Sequence, residues 1–486
     1  MNYRVVFNTT GKVLKIESFL MILPLIVSLI YREWTSAIAF LITVAATYII
    51  GFMLTWLLKV KSHLFFAKEG LLIVALAWIA MSLFGALPFV ISGEIPNYVD
   101  AFFETVSGFT TTGASILTNI EELSHGMLFW RSFTHWVGGM GVLVFIMAIT
   151  SKSNDRSMHI LRAEMPGPKI DKFVPKARQT SLILYLIYSA MTLLLIIMLL
   201  FGDMNLFESI VHAFGTAGTG GFGVKADSIA SYSNYTQWVL AIFMLLFGIN
   251  FNLYYLIIIG KIGSALKSSE LWTYFGIFVC AITLICFNVY ELYGEFSEVL
   301  RVSVFQVSSI MTTTGFATTD FALWPALSKT ILIILMIIGA CAGSTAGGFK
   351  VSRTIILFKK IINDLRKVIH PRTATVVKFE GRRLDEGTIN GVTTYTTIYF
   401  IITLAVFLLL SFDIGIPKEY AIETNLSATL ACFNNIGPGL SLVGPNVSYS
   451  VYSPFSKIVL SLSMLLGRLE IYPILIALNI TTWLKK

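Results

Sequence analysis

Charge is what this chain of 486 residues has least of: Asp, Glu, Lys and Arg make up 13% of it, against 56% hydrophobic residues. A soluble domain carries about 25% charged residues, so an aqueous globular fold is excluded. Cysteine is scarce too. The four present, Cys280, Cys286, Cys341 and Cys432, lie in or beside apolar segments, which argues against a disulfide framework. There is no HExxH, no paired-histidine motif and no GxSxG, so a membrane-embedded enzyme would lack both a metal cluster and an activated nucleophile. Nor is there a phosphate-binding loop. The first apolar run lacks a small-residue cleavage site and leads into Tyr31-Arg32-Glu33-Trp34, unlike a removable signal peptide.

Apolar sequence is what the chain has in abundance, with a mean hydropathy of +0.78. Runs of about 20 residues can cross roughly 30 Å of hydrocarbon. Such runs fall near 18–30, 36–57, 71–91, 128–149, 182–201, 238–259, 271–289, 331–357, 392–412 and 459–484, so ten spans are expected, the first one short. Basic residues are retained on the cytoplasmic side. The connection 151–178 carries seven of them and 350–387 carries ten, which makes both connections cytoplasmic. Both termini are expected there as well, with Lys12 and Lys15 at one end and Lys485 and Lys486 at the other. The net charge of +8 then reflects this topology and an anionic lipid bilayer, with no nucleic acid partner.

Four short stretches resemble one another: FTTTG at 109–113, AGTGG at 217–221, MTTTG at 311–315 and FNNIG at 433–437. Their terminal glycines, Gly113, Gly221, Gly315 and Gly437, are spaced 108, 94 and 122 residues apart, and the column two places earlier reads Thr111, Thr219, Thr313 and Asn435. Each follows an amphipathic run, such as 98–109 or 296–311, that is too short to cross a bilayer and must re-enter. Irregular backbone at membrane depth is tolerated only where it is buried in protein or lines water. The expected fold is an all-α polytopic membrane protein with ten spans and four re-entrant pore helices. A transmembrane helix pair at 1–67 precedes four membrane-pore-membrane units, 68–177, 178–269, 270–386 and 387–486, around a single pseudo-fourfold pore. A ring of carbonyls and hydroxyls can replace the water shell of a monovalent cation without a fixed charge that would trap it. Half-helices that end at the loops add partial negative charge there.

These segments, with SGFTTTGAS, TAGTGGFG, IMTTTGFATTDF, CFNNIGPG, GACAGSTAGGFK, SMLLGRLEIYP and EMPGPKIDKFVPKARQTS, resemble the Trk/Ktr/HKT superfamily of potassium-uptake proteins, and within it the TrkH-type membrane subunit. The resemblance covers essentially the whole chain. It implies potassium uptake across the bacterial plasma (inner) membrane, a homodimer, and gating by a cytosolic TrkA-type nucleotide-binding regulatory subunit. Carried over by motif, the potassium filter is Thr111, Thr112 and Gly113; Thr219, Gly220 and Gly221; Thr313, Thr314 and Gly315; and Asn435, Ile436 and Gly437. No loop carries the Thr-Val-Gly-Tyr-Gly of strict potassium channels, and the uneven column Thr112, Gly220, Thr314 and Ile436 predicts weaker discrimination against sodium.

The stretch 339–350 holds Gly339, Gly343 and Gly347 four apart, a spacing that also suits close helix packing. Its run of small residues, with Gly347 and Gly348 adjacent, is a poor helix interior. The resemblance makes it an intramembrane gate loop containing Gly339, Gly343, Ser344, Thr345, Gly347, Gly348 and Lys350. Arg468 lies between apolar residues, and an intramembrane arginine is functional by default. It is expected to bond freed carbonyls of the gate loop, because Glu470, two residues on, cannot face it.

Other features carry less. His125 and His135 are expected near outer helix ends, facing water or an interface, and neither stands in a metal-ligand spacing. Trp34, Trp130, Trp136, Trp238, Trp272 and Trp483 read as an interfacial belt. Asn250, Asn252, Tyr254 and Tyr255 suit either a cavity lining or interhelical hydrogen bonds. The basic connections are either a docking surface or simple positive-inside topology. The alternative function is a potassium symporter coupled to protons or sodium. Such a carrier favours midplane carboxylates and paired broken helices; here Glu470 is the main embedded acid and one broken helix is expected.

Overall fold

The regular secondary structure described is almost entirely helical, because a chain this apolar must satisfy its peptide groups internally. The computed structural model describes residues 2–60, 67–141, 177–372 and 376–483. It opens with α1 (Tyr3–Leu20), α2 (Ile22–Ile30) and α3 (Trp34–Leu57). Helices α1 and α3 touch backbone to backbone: a Cβ on Gly51 would lie 2.8 Å from the Gly11 carbonyl oxygen. Small residues at a helix crossing permit that approach.

A rhythm of long helix, short helix and interrupted helix then recurs. It runs α4 (Ala67–Gly85) and α5 (Leu87–Ser92), α6 (Tyr98–Phe109), α7 (His125–Gly139); then α8 (Ala177–Leu200), α9 (Leu206–Ala217), α10 (Asn234–Phe247) with α11 (Phe251–Ile258) and α12 (Ile262–Leu266). Next come α13 (Ser269–Tyr293), α14 (Phe296–Met311), α15 (Ala326–Ile338) and α16 (Val351–Ile369), followed by a two-stranded hairpin, β1 (Lys378–Phe379) and β2 (Arg382–Arg383). The chain closes with α17 (Glu386–Leu410), α18 (Ala421–Phe433), α19 (Pro454–Arg468), α20 (Tyr472–Leu478) and α21 (Ile480–Trp483). The short helices α6 and α14 match the amphipathic runs 98–109 and 296–311 expected to re-enter.

A hydrogen-bonded tie links the end of each long helix to the start of the interrupted one. Ser124 donates its hydroxyl to Glu94 (2.8 Å) and Ser233 to Asp203 (2.7 Å). Ser328 does the same to Asn288 (2.7 Å) and Ser453 to Asp413 (2.7 Å). In all four the serine backbone amide bonds the same side chain. An acceptor placed there satisfies orphan donors at the helix N-terminus.

Among the described residues six helical runs are long and apolar enough to cross a membrane by themselves, or seven with the pair α10 and α11, which is bent by 89°. Several expectations need correction. The first run is long rather than short: Tyr3–Ile30 spans 28 residues, and its polar Asn8, Thr10, Glu17 and Ser18 are buried against neighbouring helices instead of facing lipid. Broken helices are not single. Besides 339–350 between α15 and α16, the chain breaks between α10 and α11 and at Leu469–Ile471 between α19 and α20. Trp34 and Trp272 are exposed, as a belt requires, but Trp130 is buried and donates its indole N–H to the Gly85 carbonyl (3.0 Å). The basic connection 151–178 falls almost wholly outside the described residues, as do Lys485 and Lys486.

Candidate functional site: four glycine-ended loops and the strand beneath them

Each short helix ends in the same backbone turn. Thr111, Thr219, Thr313 and Asn435 take left-handed φ values of 56°, 55°, 56° and 56°, and Gly113, Gly221, Gly315 and Gly437 take 79°, 80°, 87° and 99°. In the first loop Thr111 N donates to Gly108 O (3.1 Å) and Thr112 N to Ser107 O (2.9 Å). The third repeats this with Thr313 to Ile310 (3.1 Å) and Thr314 to Ser309 (2.8 Å). The second does so with Thr219 and Gly220, the fourth with Asn435 and Ile436. This is a Schellman closure with an oxygen-bearing residue where glycine is usual. A non-glycine residue there costs roughly 1–2 kcal/mol, least for Asn. The closure turns the amides back to the helix. Among the described residues nothing donates to the carbonyls of Thr111, Thr112, Thr219, Gly220, Thr313, Thr314, Asn435 or Ile436.

The loops close on one another in cyclic order. A Cβ on Gly113 would lie 1.8 Å from the Gly220 carbonyl oxygen, one on Gly221 2.1 Å from that of Thr314, one on Gly315 2.1 Å from that of Ile436, and one on Gly437 2.6 Å from that of Thr112. All four glycines line one cavity of about 220 Å³. The twelve residues predicted for the filter are therefore neighbours in space, although the chain separates them widely.

Buried polar groups brace the ring. Glu104 on α6 and Arg131 on α7 form an ion pair (2.7 Å) with side chains 0% and 1% exposed, and Glu104 also accepts from the Ile116 amide (3.0 Å). Tyr449 donates to the Gly437 carbonyl (2.7 Å), and Asn435 Nδ2 reaches Thr112 Oγ1 (3.0 Å). His135 is fully buried and not water-facing: its Nδ1 lies 2.7 Å from the Gly108 carbonyl, and its ring packs against Gly220. His125 does sit at the surface, bonded to Glu33 (2.8 Å). Arg131 obeys the same intramembrane-arginine rule that singles out Arg468, so the sequence carried its signal; Glu104, Tyr449 and His135 had none.

On the far side of the ring from that cavity lies the non-helical strand 339–350. Its Gly347 amide donates to Thr313 Oγ1 (2.7 Å), and a Cβ on Gly347 would lie 2.3 Å from the Asn434 carbonyl oxygen. The break between α10 and α11 holds it laterally: Cys341 N donates to Gly248 O (3.1 Å), Phe251 N to Gly343 O (3.0 Å) and Thr345 Oγ1 to Phe247 O (3.3 Å). Asn250 caps α11 and packs on Gly343, so it serves this junction. Arg468 donates to the Thr345 carbonyl (2.8 Å) and to the carbonyls of Gly138 and Gly139. Lys350 is buried, with Nζ on the Ala346 carbonyl. Glu470 pairs with Arg353 (2.7 Å), and it is not the main embedded acid, since Glu17, Glu104 and Glu270 are each more deeply buried. Gly339, Ser344 and Gly348 complete the strand. Among the described residues no group of three or more His, Cys, Asp and Glu side chains is placed to hold a metal ion.

The family described as TrkH, cation transport protein, matches residues 36–482. The Trk system potassium uptake protein TrkH of Escherichia coli K12 is 35% identical over 99% of this chain and 100% of its own length. Its TrkG counterpart from the same organism is 32% identical over 99% of this chain and 98% of its own. The crystal structure of the potassium transporter TrkH from Vibrio parahaemolyticus superposes with a TM-score of 0.88 at 30% identity, covering 100% of both chains. The chain belongs to the TrkH family of cation transport proteins, a family of transporters and not of enzymes.

Proposed function

We propose that this protein takes up potassium across the bacterial inner membrane by channel-like permeation through the ring formed by Thr111–Gly113, Thr219–Gly221, Thr313–Gly315 and Asn435–Gly437. The observation that carries the proposal is the cyclic contact of the four loop glycines with one another's neighbouring carbonyls. It supports four membrane-pore-membrane units around a pseudo-fourfold axis, ten spans in all with both termini inside. The carbonyls left without a protein donor are suited to a dehydrated cation. The cavity beside the glycines is then the outer mouth, and the strand 339–350 with Lys350 and Arg468 is the gate on the cytoplasmic side. Arg468 fixes the strand through Thr345 and sets a positive charge in the ion path while the gate is shut. The working unit in this reading is a homodimer, opened by a cytosolic TrkA-type nucleotide-binding subunit.

The test is potassium flux into liposomes containing the purified protein, with and without that subunit. Gly113→Ser should abolish most flux, while Arg468→Ala, or deletion of 340–347, should raise basal flux without the partner. Equal flux in Gly113→Ser counts against the filter. Unchanged basal flux in both gate variants counts against the gate.

A second reading, symport with a proton or sodium ion, has one observation in its favour. The Glu17 carboxyl on α1 is fully buried, and neither oxygen has a hydrogen-bond partner among the described residues. Resolvable unitary currents would exclude a coupled carrier.

A further inference from the structure

We propose that Glu270 latches the gate strand, and that Glu380 in the cytosolic hairpin sets the latch, so that displacement of the hairpin releases the strand. This rests on the gate reading above and deepens it. Glu270 is the second residue of α13 and is buried, and its Oε1 accepts a hydrogen bond from the Ala342 amide (2.7 Å) in the middle of the gate strand. The same carboxylate faces Lys350 and the Ser352 amide, where the strand rejoins α16. It thus bonds the strand at its middle and lies near its exit.

Glu270 is in turn held from outside. One oxygen of Glu380, Oε1, accepts from the Ser268 hydroxyl (3.1 Å), the Ser269 hydroxyl (3.0 Å) and the Glu270 backbone amide (2.9 Å). An anion placed on the first amides of a helix satisfies orphan donors and complements the dipole. Glu380 and Gly381 form the two-residue turn between β1 and β2 with φ values of 48° and 73°. Such a turn favours Asn or Asp at its first position, and Glu there bears a left-handed strain. The longer side chain is what reaches α13. The relay runs from the exposed turn through Glu380, the α13 N-terminus and Glu270 to the Ala342 amide, with a hydrogen bond at each transfer.

If Glu270 is shortened, the buried Ala342 amide loses its acceptor, a penalty that converts to about tenfold or more in the population of released strand. Cys341 reports that population. It is fully buried beside Ala342, and Cys280, Cys286 and Cys432 can be replaced by alanine so that it is the sole thiol. The experiment measures maleimide labelling of Cys341 and rubidium tracer flux on the full-length protein in liposomes. Glu270→Ala should raise both about tenfold, Glu380→Ala should raise both by less, and Glu270→Gln, which keeps an acceptor oxygen, should restore most of the closure. The potassium-to-sodium flux ratio should not move, as it would if the ring were disordered. Should Glu270→Ala fail to fold, the exposed Glu380→Ala carries the test alone. Labelling at the wild-type rate in folded Glu270→Ala and Glu380→Ala overturns the latch while leaving the gate intact. Labelling that rises without any rise in flux supports the latch and overturns the gate reading.

Discussion

Arg131 and Glu104 show how one residue pair supports the ring. Both are essentially inaccessible, and the pair also binds Ser115 and the Ile116 amide just past the Gly113 turn. Breaking a buried pair leaves a bare charge, which costs about 3–5 kcal/mol, while replacing both partners by apolar residues is often neutral. Glu104→Gln should therefore lower the unfolding temperature in detergent sharply, and Glu104→Leu with Arg131→Met should recover most of the loss. A double variant no better than the single would show that the bracing is not electrostatic. Arg468 was legible in the sequence because a charge amid apolar residues has few benign explanations. Its carbonyl partners on Gly138, Gly139 and Thr345 were only partly legible, since two of the three belong to another helix end. His135 and Trp130 were misjudged because both lie near an apparent span end, while Trp130 is buried against Phe40 of α3 and Phe109, and His135 against Gly108 and the loop Gly218–Phe222, contacts that local sequence does not show.

At the scale of elements, the helix ties have a testable charge dependence. Partial burial pulls the pKa of Asp203 and Asp413 up, but hydrogen bonds from Ser233 and Thr236, and from Ser456 and Ser453, outweigh it and hold both below the ordinary value of 3.8. A carboxylate depressed in the folded state stabilises it at pH above the unfolded value, and that contribution is lost as pH falls through the folded one. Stability should thus decline below about pH 4, and Asp203→Asn with Asp413→Asn should flatten part of the decline. The third tie uses Asn288 and has no such dependence. Ser233→Ala and Ser453→Ala should each cost about 1 kcal/mol at neutral pH, as a lost N-cap does. Thermal melts across pH 3 to 7 measure both effects. The ends of α6 and α14 could be read from amphipathic length. The breaks at Gly248–Asn250 and Leu469–Ile471 could not. Ile471 has φ 70°, which nothing local favours, and the break is imposed by the strand and ring packed against it.

For the whole molecule, the ring joins loops that are 108, 94 and 122 residues apart, so a cation held there would bridge all four quarters of the chain. A ligand that binds only the folded state stabilises it by about 2.7 kcal/mol at a hundredfold excess over its dissociation constant. Potassium should therefore raise the unfolding temperature in detergent, sodium less, and N-methylglucamine not at all; identical melts in all three would count against a cation site in the ring. The uneven column Thr112, Gly220, Thr314 and Ile436 predicts modest discrimination, and reversal potentials in potassium and sodium mixtures check it. The sequence by itself determined the membrane class, the short helices, the four glycine-ended loops and the non-helical 339–350 run. Those depend on composition, length and local backbone propensity. Only the tertiary structure decided which carbonyl each glycine meets, that the described residues hold helix breaks beyond 339–350, and that Glu270 bonds that run while Glu380 bonds the start of α13. These are contacts between segments far apart in the chain, set by mutual packing and hydrogen bonding, and local sequence does not encode them.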